Sequence, residues 1–183
     1  METVIILILL AALLAVWCIT EKRRLTQMNE NTRNAMNQIG VQISSRFDAL
    51  TVLLELAKGY AAAEACALSL DVEAGRRNIT AQSVPEDVEE QEALIRQTVE
   101  CLSNVAKGYP ALMADGRYAA CVAAVECYEK MVCTGSLIYN DSVKKLNRAL
   151  GKPPVRLIAG VMGIHRKEYL ETEQGGNSYG FIQ

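Results

Sequence analysis

From Val4 to Thr20 the chain reads VIILILLAALLAVWCIT, an apolar run without charge, proline or glycine. It reaches the lower end of the roughly 17–25 residues that cross a bilayer as a helix. A cleaved leader begins with positive charge and ends at a small-residue site. Here Glu2 is the only early charged side chain, and the run ends Trp17-Cys18-Ile19-Thr20. The pattern therefore predicts a retained anchor over residues 1–21. Trp17 suits the membrane interface, and Lys22, Arg23 and Arg24 follow at once. Such a basic flank faces the cytoplasm, which places the rest of the chain there.

Beyond the anchor the period changes. Ala35, Ile39, Ile43, Phe47, Leu50, Leu54 and Ala57 recur in steps of four and three, one face of a long helix with the spacing of a coiled-coil seam. No proline interrupts the chain before Pro85. The simplest reading is a single helix from the membrane to about Val72, on the order of 100 Å long at 1.5 Å per residue. Gly40 and Gly59 lie within it, at places of close packing or slight bending.

A break over Gly75 to Pro85 precedes a second helix. Pro85-Glu86-Asp87 puts proline and acids in the first turn, where missing donors and negative charge are tolerated best. Val88, Ile95, Val99, Leu102 and Ala106 carry its apolar face. Gly108-Tyr109-Pro110 ends it. A third helix begins near Asp115, with Tyr118, Val122, Val125, Val132, Tyr139, Val143, Leu146 and Leu150 on one face, and Gly151-Lys152-Pro153-Pro154 stops it. Val155 to Ile164 is too short to span a membrane, and we read it as a helix capping the bundle. The competing reading is an interfacial segment, because Arg156, His165, Arg166 and Lys167 flank it.

The expected fold is therefore all-α. An N-terminal transmembrane helix (residues 1–21) continues into an antiparallel bundle of three long helices plus a short C-terminal helix (22–170). A polar, glycine-rich tail, expected to be flexible, follows over 171–183, with Phe181-Ile182 read as a small docking handle.

Composition narrows the chemistry. Apolar content is half the chain, carried by Ala, Leu, Val and Ile with two Phe and one Trp, as helices favour. The formal charge is −2, with both signs spread along the chain, so no nucleic-acid partner is expected. Cys18, Cys66, Cys101, Cys121, Cys127 and Cys133 lie in helical patterns without Cys-x-x-Cys spacing, and are expected to be reduced and packed. One histidine and no paired ligands leave no metal site to predict. His165 reads as a solvated residue. Arg46 and Asp48 flank Phe47 as in a core site of a carboxylate helical enzyme, but the Glu-x-x-His repeats are absent. Glu126 and Glu129 read as a solvated face, and Asn140 beside Tyr139 as a residue that fixes register. No catalytic, cofactor-binding or metal-binding residue is assigned, and no enzyme activity is expected.

One resemblance stands out. Ala35-x-x-Gln38-Ile39-x-Val41-Gln42-Ile43-x-x-Arg46-Phe47-Asp48-x-Leu50 is followed by Lys58-Gly59-Tyr60-Ala61 and Glu64. Downstream come Tyr109-Pro110-x-Leu112, Tyr139-Asn140-x-x-Val143-x-x-x-Asn147 and Pro154-x-x-x-Ile158-Ala159-Gly160-x-x-Gly163. In order and spacing, from the anchor to about Tyr169, these resemble the LemA family. Gly40 stands where that family usually has Asp, Ser44-Ser45 where basic residues are common, and Thr51-Val52 where Pro-Asn is typical. The resemblance implies a bacterial protein with an N-terminal transmembrane helix and an antiparallel helical bundle, in a family without an established molecular function, and it supplies no catalytic residues. The expectation is a homo-oligomeric scaffold at the bacterial inner membrane, organising or shaping the bilayer. The other class is an adaptor of a membrane protein, such as a protease or an envelope-stress component.

Overall fold

The computed structural model describes residues 1–171; the expected tail and its Phe181-Ile182 lie outside them, apart from Glu171. The first helix, α1 (Glu2–Lys58), runs without a break from the apolar segment through the bundle, about 86 Å at 1.5 Å per residue. Then come α2 (Ala62–Gly75), α3 (Pro85–Lys107), a single-turn α4 (Pro110–Met113), α5 (Gly116–Leu150) and α6 (Pro153–Val161). No strand forms among the described residues.

The predicted apolar faces are the core. All seven positions from Ala35 to Ala57 are buried, as are Val88, Ile95, Val99, Leu102 and Ala106 on α3. On α5 the same holds from Tyr118 to Leu150, with Val122 only half-buried. The helix starts also follow local chemistry. Asp87 Oδ2 accepts from the Val84 backbone N–H at 2.9 Å ahead of α3, and Asp115 Oδ1 accepts from the Arg117 N–H at 2.9 Å ahead of α5.

The first helix ends earlier than the periodicity predicts. It stops at Lys58, Gly59 to Ala61 turn the chain, and α2 packs back against α1 and α3. The apolar phase conceals this turn. Ala57, Ala61 and Ala65 are spaced by four as in a continuous helix, yet all three are buried on the two sides of a bend. Tyr60 in the turn donates its hydroxyl to Asp115 Oδ2 at 3.2 Å, so the turn is held against the start of α5. The paired Arg117 guanidinium and backbone N–H hold the Asp115 carboxyl down at about 2. The upper half is thus a four-helix arrangement of α1, α2, α3 and α5.

The lower half is leaner. Below Ala35, α1 faces chiefly α5, and a separate apolar cluster forms from Leu25, Leu146, Leu150, Val155 and Ala159. In this cluster α6 caps the bundle, as expected of Val155–Ile164. It closes with Gly163 at φ +65°, while the Ile164 N–H reaches the Ala159 carbonyl at 3.0 Å. This left-handed glycine stop, with Ile164 returning to the cluster, is the Schellman pattern.

Two glycines mark close approaches. A Cβ on Gly40 would collide with the carbonyl oxygen of Ile79 in the α2–α3 connection, and one on Gly135 would meet Ile39 Cγ1 at 3.0 Å, where α5 crosses α1. Buried Gln91 secures the same connection by accepting from the Arg77 N–H at 2.7 Å and donating to the Gly75 carbonyl at 3.2 Å.

Candidate functional site

Three polar arrangements and one bare surface stand out from the apolar frame. The deepest is centred on Arg46. Its side chain is 1% exposed, held in α1 between Ile43, Phe47 and Leu50 on the inward face. One terminal nitrogen, Nη1, donates to Glu92 Oε2 on α3, and Nη2 donates to Glu129 Oε2 on α5 at 3.0 Å. One cation therefore ties three helices at a single level. The Glu92 and Glu129 side chains are 21% and 37% exposed, whereas the Arg46 side chain is closed off from water. Arg46 Nε and Glu92 Oε1 are buried without hydrogen-bond partners. Burial pushes the Glu129 carboxyl above its ordinary range, against the lowering pull of Arg46.

This corrects the reading of Glu129 as part of a solvated face: it is half-buried and pairs with the core arginine. Asp48, by contrast, points outward and pairs with Arg76 at 2.8 Å. Arg76 also lies over the Phe47 ring, 5.4 Å from its centroid, and donates to the Ser44 hydroxyl at 2.9 Å. Arg46 and Asp48 thus face opposite ways and form no common site. One guanidinium balances only one of the two carboxylate charges, but it engages both, and the arrangement is a structural tie between helices.

The second arrangement is a clamp on the chain after α6. Asn140 donates to the Leu170 carbonyl at 2.8 Å and accepts from its N–H at 2.9 Å. Asn147 does the same with Lys167, at 2.8 and 3.0 Å. Tyr139 donates to the Glu168 carbonyl at 3.2 Å between them. Seven helical residues rise about 10.5 Å, and three extended residues span about 10 Å. Two asparagines a heptad apart on α5 therefore match peptide groups three apart on an extended segment. The role of Asn140 is to bind this segment along the bundle rather than to set helix register. Each clamp leaves a peptide unpaired if removed, so Asn147→Ala is expected to speed backbone exchange over residues 165–170 by about fivefold, roughly 1 kcal/mol. Exchange within α3 should stay unchanged, as mass spectrometry of the deuterated chain can show.

The third is electrostatic. From Ser142 to Lys167 the chain carries seven Lys and Arg and no Asp or Glu. The fold brings this stretch to the same end as Lys22, Arg23 and Arg24, through the contacts of Leu146 and Leu150 with Leu25. The near-neutral total therefore conceals a basic end, which the reading of evenly spread charge missed. A cleft of about 470 Å³ opens there between α6 and the following segment, lined by Gly151, Arg156, Ala159, His165 and Arg166 among others. His165 is exposed, as expected, on its rim.

The bare surface is α1 itself. Val4 to Val16 keep more than half of each large apolar side chain exposed, whereas the same helix is fully buried at Leu25. It is the one described helix long and apolar enough to cross a membrane. The six cysteines are all unpaired, but none is buried: Cys18, Cys66, Cys101 and Cys127 are exposed and the other two half-buried. Cys121 packs against the edge of the core, but the four exposed thiols correct the expectation of packed cysteines. Among the described residues no three His, Cys, Asp or Glu side chains gather as metal ligands.

Compared with known proteins, residues 35–178 match the model of the LemA family. None of the curated proteins matches the chain.

Proposed function

The chain belongs to the LemA family, and from that premise we propose that it is a single-pass membrane protein serving as a non-enzymatic, self-assembling scaffold. Its bundle would stand on the cytoplasmic face of a bacterial plasma membrane. The observation that carries this reading is the apolar stretch of α1, wholly uncovered yet continuous with the bundle helix. Left in water, such a surface drives association, whereas a bilayer covers it without further change. Lys22, Arg23 and Arg24 favour the cytoplasmic side. Ala11, Ala12 and Ala15 let neighbouring anchors approach closely.

Light scattering of the full chain in mild detergent tests self-assembly, beside a chain beginning at Lys22 that keeps Leu25 in its cluster. A discrete oligomer that becomes a monomer on truncation supports the scaffold. Monomers in both cases remove self-assembly and favour the adaptor role, for which crosslinking in cells should then recover one dominant heterologous partner. Orientation has its own measurement. Cys66, Cys101 and Cys127 are exposed on the bundle, so an impermeant thiol reagent should label them in inside-out vesicles and spare them in intact cells. The reverse pattern places the bundle outside.

A further inference from the structure

We propose that α6 and the basic cleft behind it form a binding site for anionic phospholipid, with α6 lying in the membrane interface beside the anchor. This rests on the reading that α1 spans a bilayer.

The two faces of α6 differ. Val155 and Ala159 are 4% and 2% exposed against the lower cluster, while Leu157 and Val161 on the opposite side are 76% and 92% exposed. A helix needed only to close a core would carry polar residues outward. Its height on α1 identifies what covers that face. The helix packs at Leu25, five residues beyond Thr20, about 7.5 Å along the axis from the end of the apolar run. That distance is less than the width of a helix, so α6 lies at headgroup depth.

The charge agrees with that placement. Arg156 borders two clefts. One is lined with Leu157, Gly160 and Val161; the other holds His165 and Arg166. A phosphodiester in the second cleft can accept from both guanidiniums, while its acyl chains lie along Leu157 and Val161. Seven Lys and Arg without an acid from Ser142 to Lys167 give this end the field that an anionic leaflet attracts. Prolines at the start of α6 and the Gly163 stop hold the short helix at a fixed angle to α5.

The test uses the full chain reconstituted into vesicles of phosphatidylcholine alone or of phosphatidylcholine with phosphatidylglycerol, with backbone exchange read over residues 153–167. Exchange is expected to slow on the order of tenfold in the anionic vesicles, since each basic side chain near such a surface contributes about a factor of five. The Arg156→Gln, Arg166→Gln double variant should lose that difference, and Leu157→Asp should reduce it. All three residues are exposed, and unchanged exchange in α3 checks that the variants remain folded. Equal exchange in the two vesicle types overturns the proposal. So does equal protection by inorganic phosphate in neutral vesicles, which would make the cleft a site for free anions. Flotation after an alkaline wash separates the two readings. A chain that fails to float loses the anchor and this site together, whereas one that floats with indifferent α6 exchange loses only the site.

Discussion

Replacing Arg46 by methionine is expected to destabilise the bundle by about 3 kcal/mol, near the lower end of the range for breaking a buried ion pair. The methionine fills much of the volume, so the loss is mainly electrostatic: Glu92 and Glu129 keep their charges and lose the cation between them. Partial exposure of the Glu129 side chain lets water recover some of the cost, which keeps the value from the upper end. The effect carries a pH signature. Burial raises the Glu129 carboxyl in the folded chain. A carboxyl raised on folding contributes stability below its unfolded value and loses it as pH rises through the folded value. Without Arg46 to pull it down, Glu129 climbs further, so the deficit is greatest at neutral pH and shrinks as pH falls through the carboxylate range. Denaturant unfolding of the full chain in detergent, followed by circular dichroism at two pH values, measures both. A loss below 1 kcal/mol, or one independent of pH, would falsify this account of the triad.

Gly40→Val should cost a similar amount, about 3 kcal/mol, for a steric reason. The obstruction is the backbone carbonyl of Ile79, which no rotamer change can clear. Either the α2–α3 connection moves, exposing buried Ile79 and straining the Gln91 hydrogen bonds, or α1 bends. Gly135→Ala, meeting the Ile39 side chain at 3.0 Å rather than a backbone carbonyl, should be milder. Comparing unfolding midpoints of the two variants separates backbone collision from side-chain crowding.

The positions of the core were legible because helical burial imposes a period, and Ile39, Ile43, Phe47 and their counterparts on α3 and α5 keep it. The turn after Lys58 was not, because Ala57, Ala61 and Ala65 keep the period across the bend. The polar ties escaped for a related reason. Periodicity reports which residues face inward along one helix and says nothing about which charges meet across three, so Arg46 could be noticed while its partner Glu92 could not. Asn140 and Asn147 did carry a signal, their heptad spacing, but its meaning depended on an extended segment that has no period to read. The basic end was visible as a stretch free of acids from Ser142 to Lys167, and averaging charge over the whole chain erased it.

The uninterrupted course of α1 has a mechanical consequence. No glycine or proline separates Thr20 from Leu25, so the exposed apolar segment and the bundle share one helix axis. Each residue inserted between Thr20 and Leu25 would turn the bundle by about 100° about that axis and shift it about 1.5 Å from the apolar segment. The azimuth of the bundle relative to the apolar segment is therefore encoded in the number of residues in this stretch, and in the proposed assembly the same number would set how neighbouring copies face one another.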